Sequence, residues 1–549
     1  MMSRRKQAVL FLAFVLTSAL PYICQRPTDD LDVIKILSPT LDSIEGNRIL
    51  NHIKVLSSDK FEGRNPGTIG ESLTVNYLVD QFKRAGLRPG NPNGTFVQNV
   101  SMVGFLSKPQ IEVKVGSTSI SLNYPDDFVH DIPRPQSIVN VKGSNVVFAG
   151  YGIVAPQYGW DDYKSIDVRN KTVIVLSGEP ALPDAAMFKG DLSTYYSTRE
   201  FKYQIAKSKG AAAILVVTDP AKQQTFSLYQ TFAKIEGATL RSRSARNELA
   251  LTGLLTINAT RRIFNAAGTN FDDQQKAAQS KNFTPFAIGA AADIKIASKI
   301  RHFYSKNVIA RIEGSDSKLK SEYVVYSAHW DHLGKDTSLK GDQIYNGAFD
   351  NASGTASMVE LARAFAKLKL KPKRSVLFIA TTGEEKGYLG SRYFVESQLY
   401  PLSSLIANIN IDGCNVFGLT SDTASTGFGN STLDEVLADA AKLQGRTFQQ
   451  SSIDNGGTYF ASDQIEFAKA GIPAAFPWNG NNYKGKSPDF SDKVWEQQSK
   501  NYHQVSDEVK PDWDLSGAVE DAQWLMIAGY LVANEPNRPM WLVGSEFKR

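Results

Sequence analysis

Two imidazoles and three carboxylates, spread over five short motifs, carry the chemistry open to this sequence. His329 lies in S-A-H-W-D-H at the end of an apolar run, and Asp350 in G-A-F-D-N-A-S-G. Glu385 follows in T-G-E-E, Asp412 in N-I-D-G, and His503 in N-Y-H-Q-V-S-D. Nitrogen and oxygen donors of these types suit a pair of divalent metal ions. Glu384, directly before Glu385, is left over as a general base. The expected chemistry is metal-assisted hydrolysis.

Each residue alone has a duller reading. Asp350, ahead of N-A-S-G-T-A, is a good helix N-cap, and the Glu384–Glu385 pair could be a solvated loop. Asp412 could be a turn residue, and His503 a structural histidine. The chain has only six histidines, however, and three of them fall in two of these motifs. The joint pattern points to metal.

The elements that must position these groups are strands of a wound α/β sheet. From about residue 307 the pattern alternates strand and helix. Buried-strand runs cover 323–327, 375–380, 405–411 and 472–476, with amphipathic helices at 358–368 and 518–532. His329 follows the first strand, Glu384 and Glu385 the second, and Asp412 the third. Open α/β sheets bind ligands at the carboxyl ends of their strands, so three strands aim ionisable groups at one edge.

Upstream, helical spacing at Ile49, Ile53 and Leu56 and again at Leu73, Tyr77 and Phe82 flanks a Gly- and Pro-punctuated loop, E-G-R-N-P-G-T-I-G-E. The middle of the chain differs. Short β-branched runs at 146–149, 172–176 and 213–217, with a helix over 201–209, form a small α/β module that holds none of the proposed ligands. Asp161 and Asp162, in Y-G-W-D-D-Y, read there as a solvated loop.

Bulk properties narrow the function. A chain of 549 residues implies two or three domains. A net charge of +5 without a long basic run gives no case for nucleic acid. Cys24 and Cys414 are the two cysteines, which excludes a disulfide scaffold and leaves N and O donors for any metal. Arg4, Arg5 and Lys6 before the apolar stretch 8–20 have the layout of a secretory signal peptide, taken as 1–24. The expected location is periplasmic or extracellular. Lipidation at Cys24 fits poorly after Pro21-Tyr22-Ile23, and an N-terminal anchor would be short for a span of about 20 residues. No later segment predicts a stable membrane span.

The segments A-H-W-D-H-L-G, G-A-F-D-N-A-S-G, T-G-E-E-K-G-Y-L-G-S, N-I-D-G and Y-H-Q-V-S-D resemble the di-zinc aminopeptidase family. That family includes glutamate-carboxypeptidase-like enzymes and the transferrin-receptor ectodomain. The E-G-R-N-P-G-T-I-G-E loop is similar to its N-terminal portion, and A-G-Y-G-I-V with Y-Q-I-A-K-S-K-G-A-A-A-I-L-V-V to its inserted protease-associated domain. The resemblance implies a discontinuous metallopeptidase domain, 31–140 and 291–549, of wound mixed α/β sheet flanked by helices, with a protease-associated insert over 141–290.

By the same resemblance, His329, Asp350 and Asp412 would hold one metal and Asp350, Glu385 and His503 the other, with zinc the expected ion. Asp331 would accept a hydrogen bond from the His329 ring, and Asp350–Asn351 would be a cis peptide. Glu384 would move the proton and Tyr502 would stabilise an oxyanion. His332 would sit outside the ligand set. One departure is Gln464, where relatives commonly carry His, which puts the nearby substrate pocket in doubt. The implied activity is removal of N-terminal residues from peptides. A carboxypeptidase or dipeptidase would need a cationic clamp, for which Arg392 is a candidate. A one-zinc glutaminyl-cyclase-like enzyme and a binding ectodomain without catalysis are the remaining alternatives. Oligomeric state has no signature in the sequence.

Overall fold

The computed structural model describes residues 30–131, 134–182, 187–190, 192–218, 223–241, 248–454 and 457–548. The segment read as a signal peptide, 1–24, lies outside the described residues.

Alternation along the strands sets the layering, because successive side chains of a strand point to opposite faces. In Tyr323–His329 and Ser375–Thr381, Val324, Tyr326, Ala328, Val376 and Phe378 enter one core, while Val325, Leu377 and Ile379 enter another. The first core is closed by helices Gly46–Leu56, Gly354–Ala366 and Ser516–Asn534, and the second by Leu389–Glu396, Gln464–Lys469 and the C-terminal Trp541 and Phe547. Both faces are covered, which is why these strands read as continuous apolar runs. The result is a mixed sheet flanked by helices.

Strands Ser375–Thr381, Tyr323–His329, Leu405–Asn410 and Ala474–Asn479 are neighbours in that order and run parallel. Their carboxyl ends therefore share one edge. Ser375–Thr381 pairs on its other side, antiparallel, with the end of the 27-residue strand Phe286–Ile312.

That long strand joins two units. At roughly 3.3 Å per residue it reaches through both. Its first half pairs with Ile138–Phe148, and Val97–Val115 follows it along the opposite side from Ala291↔Lys114 to Val308↔Val97. Beyond Ile138–Phe148 come Thr172–Leu176, Ala213–Val217 and Leu251–Leu255, all parallel, with Phe128–His130 antiparallel at the edge. This second unit has its own core, drawn from Ile111 through Ile296.

Within it, the solvated-loop reading fails for Asp162. Its side chain is buried and its carboxylate accepts the Ile153 N–H at 3.0 Å, bracing the turn. Burial pushes its pKa up to about 6. Among the described residues no helix is long and apolar enough to cross a membrane.

Candidate metal centre

Each proposed ligand sits in or beside a turn that follows a strand or flanks a helix. His329 closes Tyr323–His329, and its carbonyl accepts the Thr355 hydroxyl at 2.7 Å, locking it to the helix that follows Asp350. Asp350 is not that helix's N-cap, as its sequence context allowed: the capped N–H of Gly354 goes to Asn351 Oδ1 at 2.8 Å. Asn351 also accepts from Gly413 N at 2.8 Å and donates to Ile411 O at 3.0 Å, so it ties the Asp350 turn to the Asp412 loop. The Asp350–Asn351 peptide is cis.

The five side chains meet. Asp350 Oδ1 lies 3.3 Å from His329 Nε2 and Asp350 Oδ2 lies 2.9 Å from His503 Nε2, so its two oxygens face different imidazoles. Asp412 Oδ1 approaches His329 Nε2 at 3.1 Å, and Glu385 Oε2 approaches His503 Nε2 at 3.1 Å. Donor atoms of His329, Asp350 and Asp412 lie within 4.8 Å of one another, as do those of His332, Asp350, Glu385 and His503. His332 Nδ1 is 2.6 Å from Glu385 Oε1, a contact that orients this carboxylate from behind.

Electrostatics support cation binding. Burial opposes charge on His503, yet Glu385 and Asp350 raise its pKa to about 10. His329 is likewise held well above its ordinary value, burial being outweighed by Asp412, Glu384 and Asp350. Asp350 and Glu385 are in turn held low despite burial, by His329 and His503 for the first and by His503 and His332 for the second. The buried carboxylates thus favour positive charge at this position, as a divalent ion would supply. The donor set fits metal.

The family model of Peptidase family M28 matches residues 307–527, the stretch that supplies all five donors. Residues 307–527 are thus similar to the peptidase domain of that family. A probable zinc metalloprotease of Pyrenophora teres f. teres (strain 0-1) is 36% identical over 106 residues, 19% of this chain and 22% of that protein. Aminopeptidase NAALADL1 of Mus musculus is 30% identical over 132 residues, 23% of this chain and 16% of that protein. The chain thus spans about a fifth of the length of these curated relatives. The solved structure of an aminopeptidase from Aneurinibacillus sp. strain AM-1 shares the fold, with a TM-score of 0.50 at 18% identity, over 92% of this chain and 97% of that chain.

Three expectations about the surroundings of the site need correction. The His329 ring does not bond the Asp331 carboxylate: Nδ1 lies 3.1 Å from the Asp331 main-chain oxygen and 3.9 Å from Oδ1. The tight His-x-Asp turn brings the carbonyl closer, and Asp331 Oδ1 accepts instead from Glu384 N at 3.1 Å. Arg392 is no free clamp. Its guanidinium is buried, bonded twice to Glu466 Oε1 (3.1 and 2.8 Å) and once to Glu200 (3.0 Å). Gln464 lies fully buried beside strand Leu405–Asn410, away from the residues that line the substrate cavity.

Two residues that hold the site carry no signal of their own in the sequence. Arg64, wholly buried in the E-G-R loop, donates to four main-chain carbonyls: Leu56 (2.8 Å), Trp330 (2.8 Å), Asn346 (2.6 Å) and Gly347 (2.9 Å). It ties the segment just after His329 to the segment just before Asp350. Asp507 accepts from the N–H groups of Phe349 and Asp350, both at 3.0 Å, fastening the Asp350 turn to the His503 loop. The Y-H-Q-V-S-D motif contained Asp507, but spacing alone assigns it no task.

Glu384, Glu385, Tyr502 and His503 open on a cavity of about 540 Å³. Burial, helped by Glu385, Asp412 and Asp463 and opposed by His329, pushes Glu384 well above the usual carboxylate range. Tyr502 is half-exposed, its ring stacked on His503 at 3.8 Å. The far wall comes from the second unit, with Arg199, Tyr229 and Phe232, whose ring lies 5.4 Å from that of His503.

Proposed function

We propose that this chain is an exported two-metal exopeptidase that removes N-terminal residues from peptides. The observation that carries the reading is Asp350, whose two oxygens each face a different ligand cluster. His329, Asp350 and Asp412 would hold one ion, and Asp350, Glu385 and His503 the other. Zinc is the favoured ion for such mixed N/O donors, in keeping with the names of the relatives above.

Bound ions of this kind supply Lewis acidity, lowering the pKa of a shared water and polarising the scissile carbonyl. The remaining work belongs to side chains. Glu384 faces the cavity outside both ligand clusters, and it would take the proton of the attacking water and return it to the leaving amine. Tyr502, at the cavity edge, offers a hydroxyl to the developing oxyanion. A carboxylate-rich pocket attracts a free α-amine, which favours action at the N-terminus.

The residues 141–290 are assigned in this proposal to a protease-associated insert in a metallopeptidase domain of 31–140 and 291–549. Its contribution is the far wall of the substrate cavity. Peptides are the expected partners, with no role for nucleic acid.

One observation favours a second reading. Arg199 lines the cavity, 3.3 Å from Asp131 and over the ring of Tyr229 at 4.2 Å. A carboxypeptidase or dipeptidase could use it in place of Arg392, exchanging Asp131 for a substrate carboxylate. The complete donor set with Glu384 argues against a binding ectodomain without catalysis.

Chromogenic aminoacyl substrates, N-acetylated peptides and peptides with free or amidated C-termini, each with and without chelator, separate these readings. Hydrolysis confined to free amines, abolished by chelator and restored by zinc, is the expected result. Dependence on a free C-terminal carboxylate would replace it with the second reading, and cleavage of doubly blocked peptides would exclude both.

A further inference from the structure

Asp412 is the most exposed of the five ligands, with 18% of its side chain open to solvent against 10% or less for the others. It also stands on a loop just past the end of Leu405–Asn410. One oxygen faces His329, and the other, Oδ2, accepts the Ser462 hydroxyl at 2.7 Å. What sets the direction of that hydroxyl lies deeper, in a row of buried polar side chains.

The row starts at a group that can only accept. Gln464 Nε2 donates to the main-chain carbonyl of Tyr459, which fixes the Gln464 amide and turns its oxygen towards Asn410. Asn410 Nδ2 donates to Gln464 Oε1 at 2.9 Å and to Ser462 Oγ at 2.9 Å, spending both amide hydrogens, while its own oxygen takes the Ser327 hydroxyl at 2.7 Å. Ser462, accepting from Asn410, must point its hydrogen at Asp412. Gln464, Asn410 and Ser462 are all essentially inaccessible to solvent. A reversed amide at either position would set two acceptors or two donors face to face, leaving buried polar groups unsatisfied.

We propose that Gln464 is a positioning residue for Asp412, acting through Asn410 and Ser462. It touches neither substrate nor metal. Its amide sets the sense of the hydrogen-bond row that holds the most exposed ligand, and an amide keeps that sense at every pH because it does not titrate. This rests on the metal-site reading above and extends it to a residue outside both ligand clusters.

The test is a competition titration of metal-stripped protein with zinc against a chromogenic chelator, on wild type, Gln464→Met, Ser462→Ala and the double variant, with thermal midpoints measured alongside. Wild type should take up two ions in separable steps. Gln464→Met should weaken one step about 10–100-fold, as loss of partners behind a ligand does, and leave the other unchanged. The double variant should lose no more than the worse single variant, because both act along one row. Gln464→His, whose ring can accept from Asn410 and donate to Tyr459, should restore the weakened step. Gln464→Ala replaces the methionine variant if the latter does not fold.

Unchanged binding in Gln464→Met overturns the proposal. So do equal weakening of both steps, losses that add in the double variant, or a histidine variant as weak as the methionine one. Wild-type protein that takes up no pair of ions would instead refute the metal-site reading itself.

Discussion

Glu384 and Glu385 are adjacent carboxylates driven in opposite directions by what surrounds them. Glu385 sits between His332 and His503 and is held ionised, as a ligand must be. Glu384 faces the cavity with Asp412, Asp463 and Glu385 nearby and is pushed towards its protonated form. In the proposed mechanism, such a split suits one group to binding and the other to proton transfer. Glu384→Gln should therefore keep its metal content while turnover falls roughly 10²–10⁴-fold. Steady-state kinetics with metal analysis on the same sample checks this, and near-normal turnover would remove Glu384 from the chemistry. The pair was legible in T-G-E-E only through its company, since alone it fits a solvated loop and only the joint pattern with His329, Asp350, Asp412 and His503 points to metal. Asp331 was legible as a neighbour of His329 but not in its bonding, since two residues of backbone decide whether carbonyl or carboxylate arrives first.

At the scale of elements, the four parallel strands were readable because burial on both faces leaves an uninterrupted apolar run. The long strands were not. Phe286–Ile312 carries Lys295, Lys299, Arg301 and Lys306, and Val97–Val115 contains Pro109, so neither shows such a run. Nor did the sequence distinguish Arg64 from any charged loop residue, although it bridges the end of helix Gly46–Leu56 to the segments beside His329 and Asp350. Burial lowers its pKa to about 10, against the pull of Asp507 and Asp350, so it stays charged at neutral pH. Arg64→Met would strand four carbonyls inside the protein. It should cost about 3 kcal/mol or more of stability, measured as a lower urea midpoint, and a midpoint equal to wild type would show that the clamp is dispensable.

Across the whole molecule, the cavity belongs to two units at once. Glu200, at the start of helix Arg199–Ser208, bonds Arg392 and Lys469 of the unit that carries the candidate ligands. Tyr195 packs near Phe460 and Phe547, and Lys189 pairs with Glu546 at 3.1 Å. These contacts hold Arg199, Tyr229 and Phe232 opposite Glu384 and His503. The sequence marked the second unit as separate and free of ligands, and stopped there. Docking depends on side chains far apart in the chain, so it leaves no local pattern. The same long-range folding brings His329 and His503 onto one carboxylate.

Metal analysis of purified, zinc-equilibrated protein and of its Asp350→Ala variant tests that convergence most directly. Two zinc ions per wild-type chain, and loss of tight binding at both positions in the variant, are expected. A single ion in the wild type, or a variant that keeps one ion at wild-type affinity, would contradict a centre shared through Asp350.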